Sequence, residues 1–221
     1  MPRRSSRQTR PLTREAVLRA AIALADEGGS EALSMRRLAH ELGIEAMSLY
    51  HHVRDKDDLL DGMVDLVVSE IELPSGPTWK AALRKTAMSA RTVLDKHAWA
   101  PGVMQARSTG PARLAYMEAL LRTLRDAGLS PEMTDHAYHA IESHIIGFTL
   151  WTASFKFSER DLTKLATEFV SHLSAGDYPR LIEHVDQHKK PRRAGIDFEF
   201  GLDLILDGLE KYRRAPTQRA R

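Results

Sequence analysis

The stretch Ser34–Lys56 reads SMRRLAHELGIEAMSLYHHVRDK and has the pattern of two short helices joined by a tight turn. Leu38 and Leu42 share one face of the first helix, because residues four apart lie on the same side. Gly43 follows at once and can take the left-handed backbone conformation that ends a helix. A second helix is predicted from about Glu45 to His51. The pattern is typical of a helix-turn-helix, whose second helix enters the major groove of DNA.

Helix-start signals flank this motif on both sides. Ser34 is a good N-cap for its first helix, and Asp55 is one for the helix that follows. Upstream, Thr13 is predicted to cap a helix that ends at Gly28–Gly29. The helix predicted from Lys56 carries six apolar residues for a buried face: Leu59, Leu60, Met63, Val64, Val67 and Val68.

Residues 12–68 resemble the DNA-binding domain of the tetracycline-repressor (TetR) family of transcriptional regulators. The residues that carry the resemblance are Ala20, Leu24, Gly29, Leu33, Ser34, Arg36, Leu38, Ala39, Leu42, Gly43, Ile44, Leu49, Tyr50, His52, Val53, Lys56 and Leu60. The resemblance implies an all-α fold with an N-terminal three-helix DNA-binding domain and a C-terminal helical ligand-binding and dimerisation bundle. We expect about nine or ten helices in the chain.

Composition limits the class of protein. The 221 residues are 43% hydrophobic and 28% charged, which is enough apolar material for a substantial core. The absence of cysteine excludes disulfides and thiolate metal sites. No apolar run approaches the ~18 residues of a membrane span, and the basic N-terminus lacks the apolar run of a secretory signal. We therefore expect a cytoplasmic protein.

Domain organisation follows from one linker, Leu73–Pro77, because proline and glycine are concentrated there. The predicted order is a disordered basic arm (1–11), a DNA-binding domain that includes the linking helix (12–73), a ligand-binding and dimerisation domain (74–214) and a tail (215–221). The arm carries Arg3, Arg4, Arg7 and Arg10. It is either a solvated end or a segment that reaches phosphates or a narrow minor groove, and both readings stay open.

Helical periodicity continues beyond the linker. Helices are predicted over Trp79–Lys96 and Pro111–Ala127, the latter with its apolar stripe at Leu114, Met117, Leu121 and Leu124. Ser130-Pro131-Glu132 is a strong start for another helix. The segment Ala98–Gly110 is predicted to be rich in turns, and residues 181–185 to form at most one helical turn.

The resemblance assigns DNA contact to Arg36, to the second helix of the motif and to Lys56. Arg36 has a planar fork suited to guanine or phosphate, and the hydroxyls of Ser48 and Tyr50 can donate to phosphate oxygens. Ala46 and Met47 are expected only to press against a thymine methyl group. The predicted DNA-binding residues are Arg36, Ala46, Met47, Ser48, Tyr50, His51 and Lys56.

A single recognition helix reads few base pairs, so a two-fold dimer on a near-palindromic operator is expected. Two apolar stripes recur at helical spacing, one in the helix that starts at Pro131 and one in the last helix of the chain. The resemblance implies that the dimer forms from these two helices. An alternative is that both stripes face the chain's own core. The predicted dimerisation residues are Ile141, Ile145, Phe148, Phe198, Leu202, Ile205 and Leu209.

The region from Trp79 to Phe157 is the candidate for binding a small-molecule inducer that releases the DNA. Large, soft or amphipathic side chains there suggest an apolar pocket, although ordinary core packing explains each one singly. The predicted ligand-binding residues are Trp99, Met104, Tyr116, His139, His144 and Trp151. His136, His139 and Glu142 have a spacing that can bind a metal but also occurs on solvated faces. No cofactor or resident metal is expected.

Two alternatives compete with a repressor. One is an enzyme or a helical ligand-binding protein whose helix-turn-helix only packs, although the sequence contains no nucleophile elbow, HExxH motif or phosphate-binding glycine loop. The other is a transcriptional activator or an architectural DNA-binding factor with the same DNA-binding domain.

Overall fold

The structure is a computed structural model that describes residues 12–104, 107, 109–154, 159–171, 176–188 and 196–213. The predicted arm 1–11 and tail 215–221 lie outside these residues. The described residues contain no strand, which confirms the all-α prediction. Their α-helices are α1 (Arg14–Gly28), α2 (Met35–Leu42), α3 (Ala46–Leu49), α4 (Lys56–Val68), α5 (Trp79–Lys96), α6 (Ala100–Met104), α7 (Pro111–Asp126), α8 (Pro131–Ser154), α9 (Glu159–Ser171), α10 (Pro179–His188) and α11 (Ile196–Glu210).

The eleven α-helices of the described residues exceed the expected nine or ten because of two short elements. Helix α6 lies inside the segment 98–110 that was predicted to be turn-rich. Helix α10 runs for 10 residues where at most one helical turn was predicted. Helix α6 has only five residues, which is too short for its periodicity to be distinguished from a turn by sequence alone.

The predicted helix-start signals before α5 are confirmed. Thr13 accepts a hydrogen bond from the Ala16 N–H at 3.2 Å and so caps α1. Ser34 does the same for α2 through the Arg37 N–H, also at 3.2 Å. Asp55 caps α4 through the Asp58 N–H at 2.8 Å. All six apolar residues predicted for the inner face of α4 are buried.

The chain divides into two compact units, Met1–Gly128 and Leu129–Arg221. The first contains α1 to α7, with helix α4 in contact with α1, α5, α6 and α7. The linker Leu73–Pro77 is not helical, and α5 occupies the predicted range. The functional boundary predicted after Leu73 lies inside the first unit and stays a prediction.

The inner face of α7 differs from the predicted stripe. Leu114 is exposed and Met117 and Leu121 are half-buried, whereas Leu124 is fully buried as expected. The buried neighbours of Leu124 on the same face are Tyr116 and Leu120, at four-residue spacing. Both faces of this helix carry apolar residues, so the periodicity alone did not determine which one turns inward.

The second unit is built on the packing of α8 against α11. His144 of α8 stacks on Phe198 of α11, with 4.7 Å between the ring centroids. Phe148 meets the same ring edge to face at 5.3 Å. Gly201 lies directly over His144, where a Cβ atom would come within 2.5 Å of the imidazole. The absence of a side chain at this position therefore allows the two helices to approach closely.

Candidate nucleic-acid interface

The turn between α2 and α3 has the geometry that the sequence predicts. Gly43 has φ 65° and ψ 33°, which is the left-handed conformation that ends a helix. The N–H of Gly43 donates to the His40 carbonyl at 3.1 Å, and that of Ile44 donates to the Ala39 carbonyl at 3.0 Å. These bonds satisfy carbonyls at the end of α2 and redirect the chain into α3.

Helix α3 is shorter than predicted, because it ends at Leu49 and not at His51. After Leu49 the backbone bonds change to three-residue spacing: Tyr50 N–H to Met47 O at 3.2 Å and His51 N–H to Ser48 O at 3.3 Å. The end of the predicted helix is thus a tight turn of 3₁₀ type, in which side chains three apart come into line.

A small apolar core holds α3 in place. Leu49 and Leu38 are fully buried, and Val53 closes the core from below. Ala39 is buried at the crossing of α2 and α3, where a larger side chain would push the helices apart. Ile44, the first residue after the turn, is only half-buried.

The seven predicted DNA-binding residues remain at or near the surface. Met47 is 74% exposed and Tyr50 is 47% exposed, although Leu49, which lies between them in the sequence, is fully buried. Arg36, His51 and Lys56 are exposed, and Ala46 and Ser48 are half-buried. The helix therefore buries one residue as an anchor and presents the others outward. None of the seven contributes a large side chain to the core.

A polar network behind α3 was not predicted. Arg14 forms a two-point ion pair with Asp58, at 2.9 Å from Nη1 to Oδ2 and 2.8 Å from Nη2 to Oδ1. Arg14 Nη1 also donates to the His52 carbonyl at 2.8 Å. The Asp58 carboxylate accepts from the Arg54 N–H at 2.8 Å. The chain that leaves α3 is thus tied to α1 and α4 by charged hydrogen bonds.

The environment of Asp58 favours its ionised form. The hydrogen bond from Arg14 lowers the pKa of Asp58 from 3.8 to about 2, and the Arg54 N–H acts in the same direction against partial burial. The one local sequence signal for this network is the spacing of Asp55 and Asp58, which matches that of a capping box. Nothing local in the sequence indicates that Arg14 is the partner.

Three predicted ligand-binding residues lie in the first unit, and all are buried: Trp99, Met104 and Tyr116. The polar edge of Trp99 is already bound, because its indole N–H donates to Asp26 of α1 at 2.7 Å. His97 lies beside it with Nδ1 2.8 Å from the same carboxylate. Trp99 therefore joins α6 to α1 as part of the packing of this unit.

The other three predicted ligand-binding residues lie in the second unit and differ in exposure. Trp151 is 52% exposed. His139 is exposed, with Nε2 3.5 Å from Asp135. His144 is half-buried, and its Nε2 lies 2.9 Å from the Phe198 carbonyl oxygen. The contacts of these residues do not bring the three together around one point.

The possible metal ligands predicted on α8 do not form a site. Within the ranges that the structure describes, no group of three His, Cys, Asp or Glu residues is close enough to hold a metal ion. His139 is engaged instead by Asp135 and by an edge contact with the Tyr138 ring at 5.3 Å. The spacing therefore belongs to a solvated helix face.

Most predicted dimerisation residues lie in the core of the single chain. Ile141, Ile145, Phe198, Leu202 and Leu209 are buried, and Phe148 and Ile205 are half-buried. The large apolar side chains that stay exposed on α8 and α11 are their neighbours Leu150, Trp151, Phe200 and Leu204. The dimerisation role of the seven residues stays a prediction.

Two family models cover most of the chain. Residues 17–63 match the model described as "Bacterial regulatory proteins, tetR family", and residues 73–213 match "Tetracyclin repressor-like, C-terminal domain". The chain belongs to the TetR family. It is therefore a transcriptional regulator and not an enzyme, and the predicted family resemblance is confirmed.

Full-length relatives of this TetR family member agree with the match. It is 35% identical to the HTH-type transcriptional repressor DrrR1 of Streptomyces coeruleorubidus, over 94% of this chain and 81% of that one. It is 32% identical to the class C tetracycline repressor protein of Escherichia coli, over 91% of this chain and 92% of the relative.

A solved structure has the same fold as this TetR family member. The ActR protein of Streptomyces coelicolor, crystallised in complex with actinorhodin, superposes with a TM-score of 0.75 at 28% identity. The match covers 90% of this chain and 97% of ActR.

Across the described residues, no helix combines the length and apolar character needed to cross a bilayer.

Proposed function

We propose that the protein is a ligand-responsive transcriptional repressor that binds a near-palindromic operator as a homodimer. The observation that carries this proposal is the division of α3 between one buried anchor, Leu49, and outward-facing Met47 and Tyr50. A helix that served only for packing would turn its large apolar side chains inward. Met47 and Tyr50 therefore stay available to contact another molecule.

The DNA contacts are assigned by side-chain chemistry. Arg36 binds a guanine edge or a phosphate through its guanidinium fork. Ser48 and Tyr50 donate to phosphate oxygens and fix the register of the DNA-binding head, which consists of α1, α2 and α3. Ala46 and Met47 contact thymine methyl groups. His51 and Lys56 contact the backbone. Lys56 begins α4, where the helix N-terminus already favours a phosphate.

The homodimer doubles this small reading surface. Phe200 and Leu204 of α11 are 66% and 59% exposed and lie on the side of the helix opposite buried Leu202 and Leu206. Exposed apolar residues of this size on one helix are typical of a surface that a partner covers. We assign the dimer contact to Phe200 and Leu204, together with half-buried Phe148 and Ile205. These residues border the predicted apolar stripes of α8 and α11.

The linker and the two family models support the proposed domain division. The two models leave residues 64–72 between them, next to the linker Leu73–Pro77. We therefore assign residues 12–73 to the DNA-binding domain and residues 74–214 to the ligand-binding and dimerisation domain. Operator binding places the protein in the cytoplasm, where bacterial DNA lies.

The inducer is a small molecule with an apolar body, bound among the helices after Pro77. ActR, which has the same fold, has been crystallised with actinorhodin, and a relative is a tetracycline repressor. A ligand releases DNA only to the extent that it prefers a conformation in which the two heads no longer match the operator. Helix α4, which contacts both α1 and α7, is the element that transmits this change.

The test is selection of DNA by the full-length protein from a random-sequence duplex pool. An inverted repeat is expected in the enriched sequences, bound by two chains, as measured by mobility shift and sedimentation. Arg36→Ala and Tyr50→Ala should abolish binding. Exposed residues of the same type on other elements supply the controls, Arg122→Ala in α7 and Tyr178→Ala just before α10, which should bind normally. Enrichment of no sequence, or normal binding by Arg36→Ala and Tyr50→Ala, would refute the proposal.

A further inference from the structure

Three aspartates of α4 lie along one side of the helix, because Asp57, Asp61 and Asp65 are four residues apart. We call them the aspartate stripe. Arg107, in the connection between α6 and α7, places Nη1 2.5 Å from Asp57 and 4.0 Å from Asp61. Asp65 contacts the start of α7. The stripe is thus the side of α4 that faces the connection between α6 and α7.

Asp65 caps a helix other than its own. Gly110 holds the N-cap position of α7 and has no side chain with which to cap it. Asp65 Oδ1 accepts a hydrogen bond from the backbone N–H of Arg113, the third residue of α7, at 3.1 Å. An N-cap side chain ordinarily makes this bond. The carboxylate also lies at the positive end of the α7 dipole, where a negative charge is favourable.

Asp65 lies so close to the start of α7 that any residue larger than glycine at position 110 would collide with it. A Cβ atom at Gly110 would collide with the Asp65 carboxyl group, whereas one at Gly102 in α6 would meet nothing within 4 Å. Arg113 adds a second link, since its Nη1 donates to the carbonyl of Met104, the last residue of α6, at 2.7 Å. Helices α4, α6 and α7 are therefore joined at one point.

The other end of α4 is fixed to the DNA-binding head. Asp58 binds Arg14 of α1 and the Arg54 N–H just beyond α3. Helix α4 has 13 residues and spans about 20 Å. The charged contacts at its start hold the head, and the Asp65 contact two turns later holds α7.

We infer that Asp65 is the positioning residue that makes α4 and the start of α7 move as one element. A displacement of α7 is then delivered to the head, so that the position of α7 sets the orientation of the head. This inference rests on the proposed function, because it names the contact through which the response to a ligand reaches the DNA-binding surface.

The test compares Asp65→Ala, Asp65→Asn and Gly110→Ala with wild type in the full-length protein. Hydrogen exchange measured by mass spectrometry reports the start of α7, and duplexes enriched by the wild type from a random pool report DNA affinity. Asp126→Asn is the charge-matched control, since it removes an exposed carboxylate from the opposite end of α7. Asn retains an acceptor oxygen, so Asp65→Asn is the variant that should preserve the cap.

In Asp65→Ala, exchange should accelerate about tenfold at the first turn of α7 and stay unchanged in α1 and α5. DNA affinity should fall about fivefold to tenfold, the factor that corresponds to loss of one ordinary helix cap. Gly110→Ala should behave in the same way, because it displaces Asp65 while keeping the charge. Asp65→Asn should retain most of the affinity, and Asp126→Asn all of it.

Several results would overturn the inference. Unchanged exchange at the start of α7 in Asp65→Ala would show that the cap is not formed. Acceleration throughout the first unit would show that Asp65 acts only on stability. Faster local exchange with unchanged DNA affinity would show that the contact does not reach the head. If the wild type enriches no DNA, the proposed function fails first, which distinguishes the two failures.

Discussion

Arg14 and Asp58 are joined by a two-point ion pair across 44 positions of the sequence. Arg14 begins α1 and Asp58 lies in the first turn of α4, so the pair closes the three-helix head around α3. Because Arg14 also binds the His52 carbonyl, the same guanidinium fixes the chain just after the residues that we propose contact DNA. The pair thus connects the stability of the head to the position of its reading surface.

Removal of this pair should destabilise the head. Asp58→Ala leaves the Arg14 guanidinium and the Arg54 N–H without their shared acceptor, and we expect the free energy of unfolding to fall by about 1–2 kcal/mol, because the pair is only partly buried. Urea denaturation followed by circular dichroism measures the change. Arg19→Met, which breaks a fully surface-exposed pair with Glu15, is the control and should cost less than about 0.5 kcal/mol. Equal losses in the two variants would contradict the assigned role.

The same carboxylate should give a defined dependence of stability on pH. The pKa of Asp58 is lowered to about 2 in the folded chain from 3.8, so the folded state favours the ionised form. Its contribution is fully present above about pH 4–5 and is lost as the pH falls toward about 2. The difference in unfolding free energy between wild type and Asp58→Asn should therefore be constant from pH 5 to 7 and shrink below pH 4. A difference that does not change with pH would show that Asp58 acts without its charge.

Gly43→Ala should weaken both folding and DNA binding. The left-handed conformation at Gly43 is strained for any residue with a Cβ atom, and the space around it is open, so the cost is conformational and about 1 kcal/mol. The turn sets the angle between α2 and α3, so DNA affinity should fall as well. Gly102→Ala, in open space on helix α6 without a positive φ, is the matched control and should be neutral or slightly stabilising.

The contacts of Asp26 with Trp99 and His97 should contribute to the stability of the fold. Asp26→Ala removes the acceptor of the Trp99 indole N–H and the partner of buried His97, and we expect a loss of about 2 kcal/mol. Trp99→Phe should also lower the melting temperature, while Trp151→Phe, at an exposed position, should not. If Trp99→Phe leaves the melting temperature unchanged, the packing role of Trp99 is refuted.

Met47 should affect sequence preference without affecting stability. Its side chain is 74% exposed and contributes little to the core. Met47→Gln replaces a group that only touches thymine methyls with one that can bind adenine in two places. Selection from a random pool should then yield a changed base at one position of each half-site, with an unchanged melting temperature. An identical consensus sequence would show that Met47 does not face a base.

The features predicted correctly from sequence are those fixed by local chemistry. Thr13, Ser34 and Asp55 are caps because their side chains can reach an N–H three residues later, and Gly43 ends α2 because it alone accepts the required backbone angles. The exposure of Tyr50 follows in the same way, since it directly follows buried Leu49 on a short helix. Such features depend on a few neighbouring residues.

The features missed depend on long-range contacts. Arg14 meets Asp58 from 44 positions away, and Asp65 caps Arg113 from 48. An aspartate in the middle of a helix gives no sign of which helix end it will meet. The apolar stripes of α8 and α11 are present as predicted. Periodicity, however, does not distinguish a face that the same chain covers, as at Phe198 and Leu202, from one that a second copy covers.

The brevity of α3 has an evolutionary consequence. Its four residues rise by about 6 Å, less than two steps of B-form DNA at ~3.4 Å each. Few positions of α3 are proposed to face the groove, such as Ala46 and Met47, and neither contributes a large side chain to the core. Gene duplicates with this architecture are therefore expected to change promoter target through one or two substitutions, at little cost to the stability of the fold.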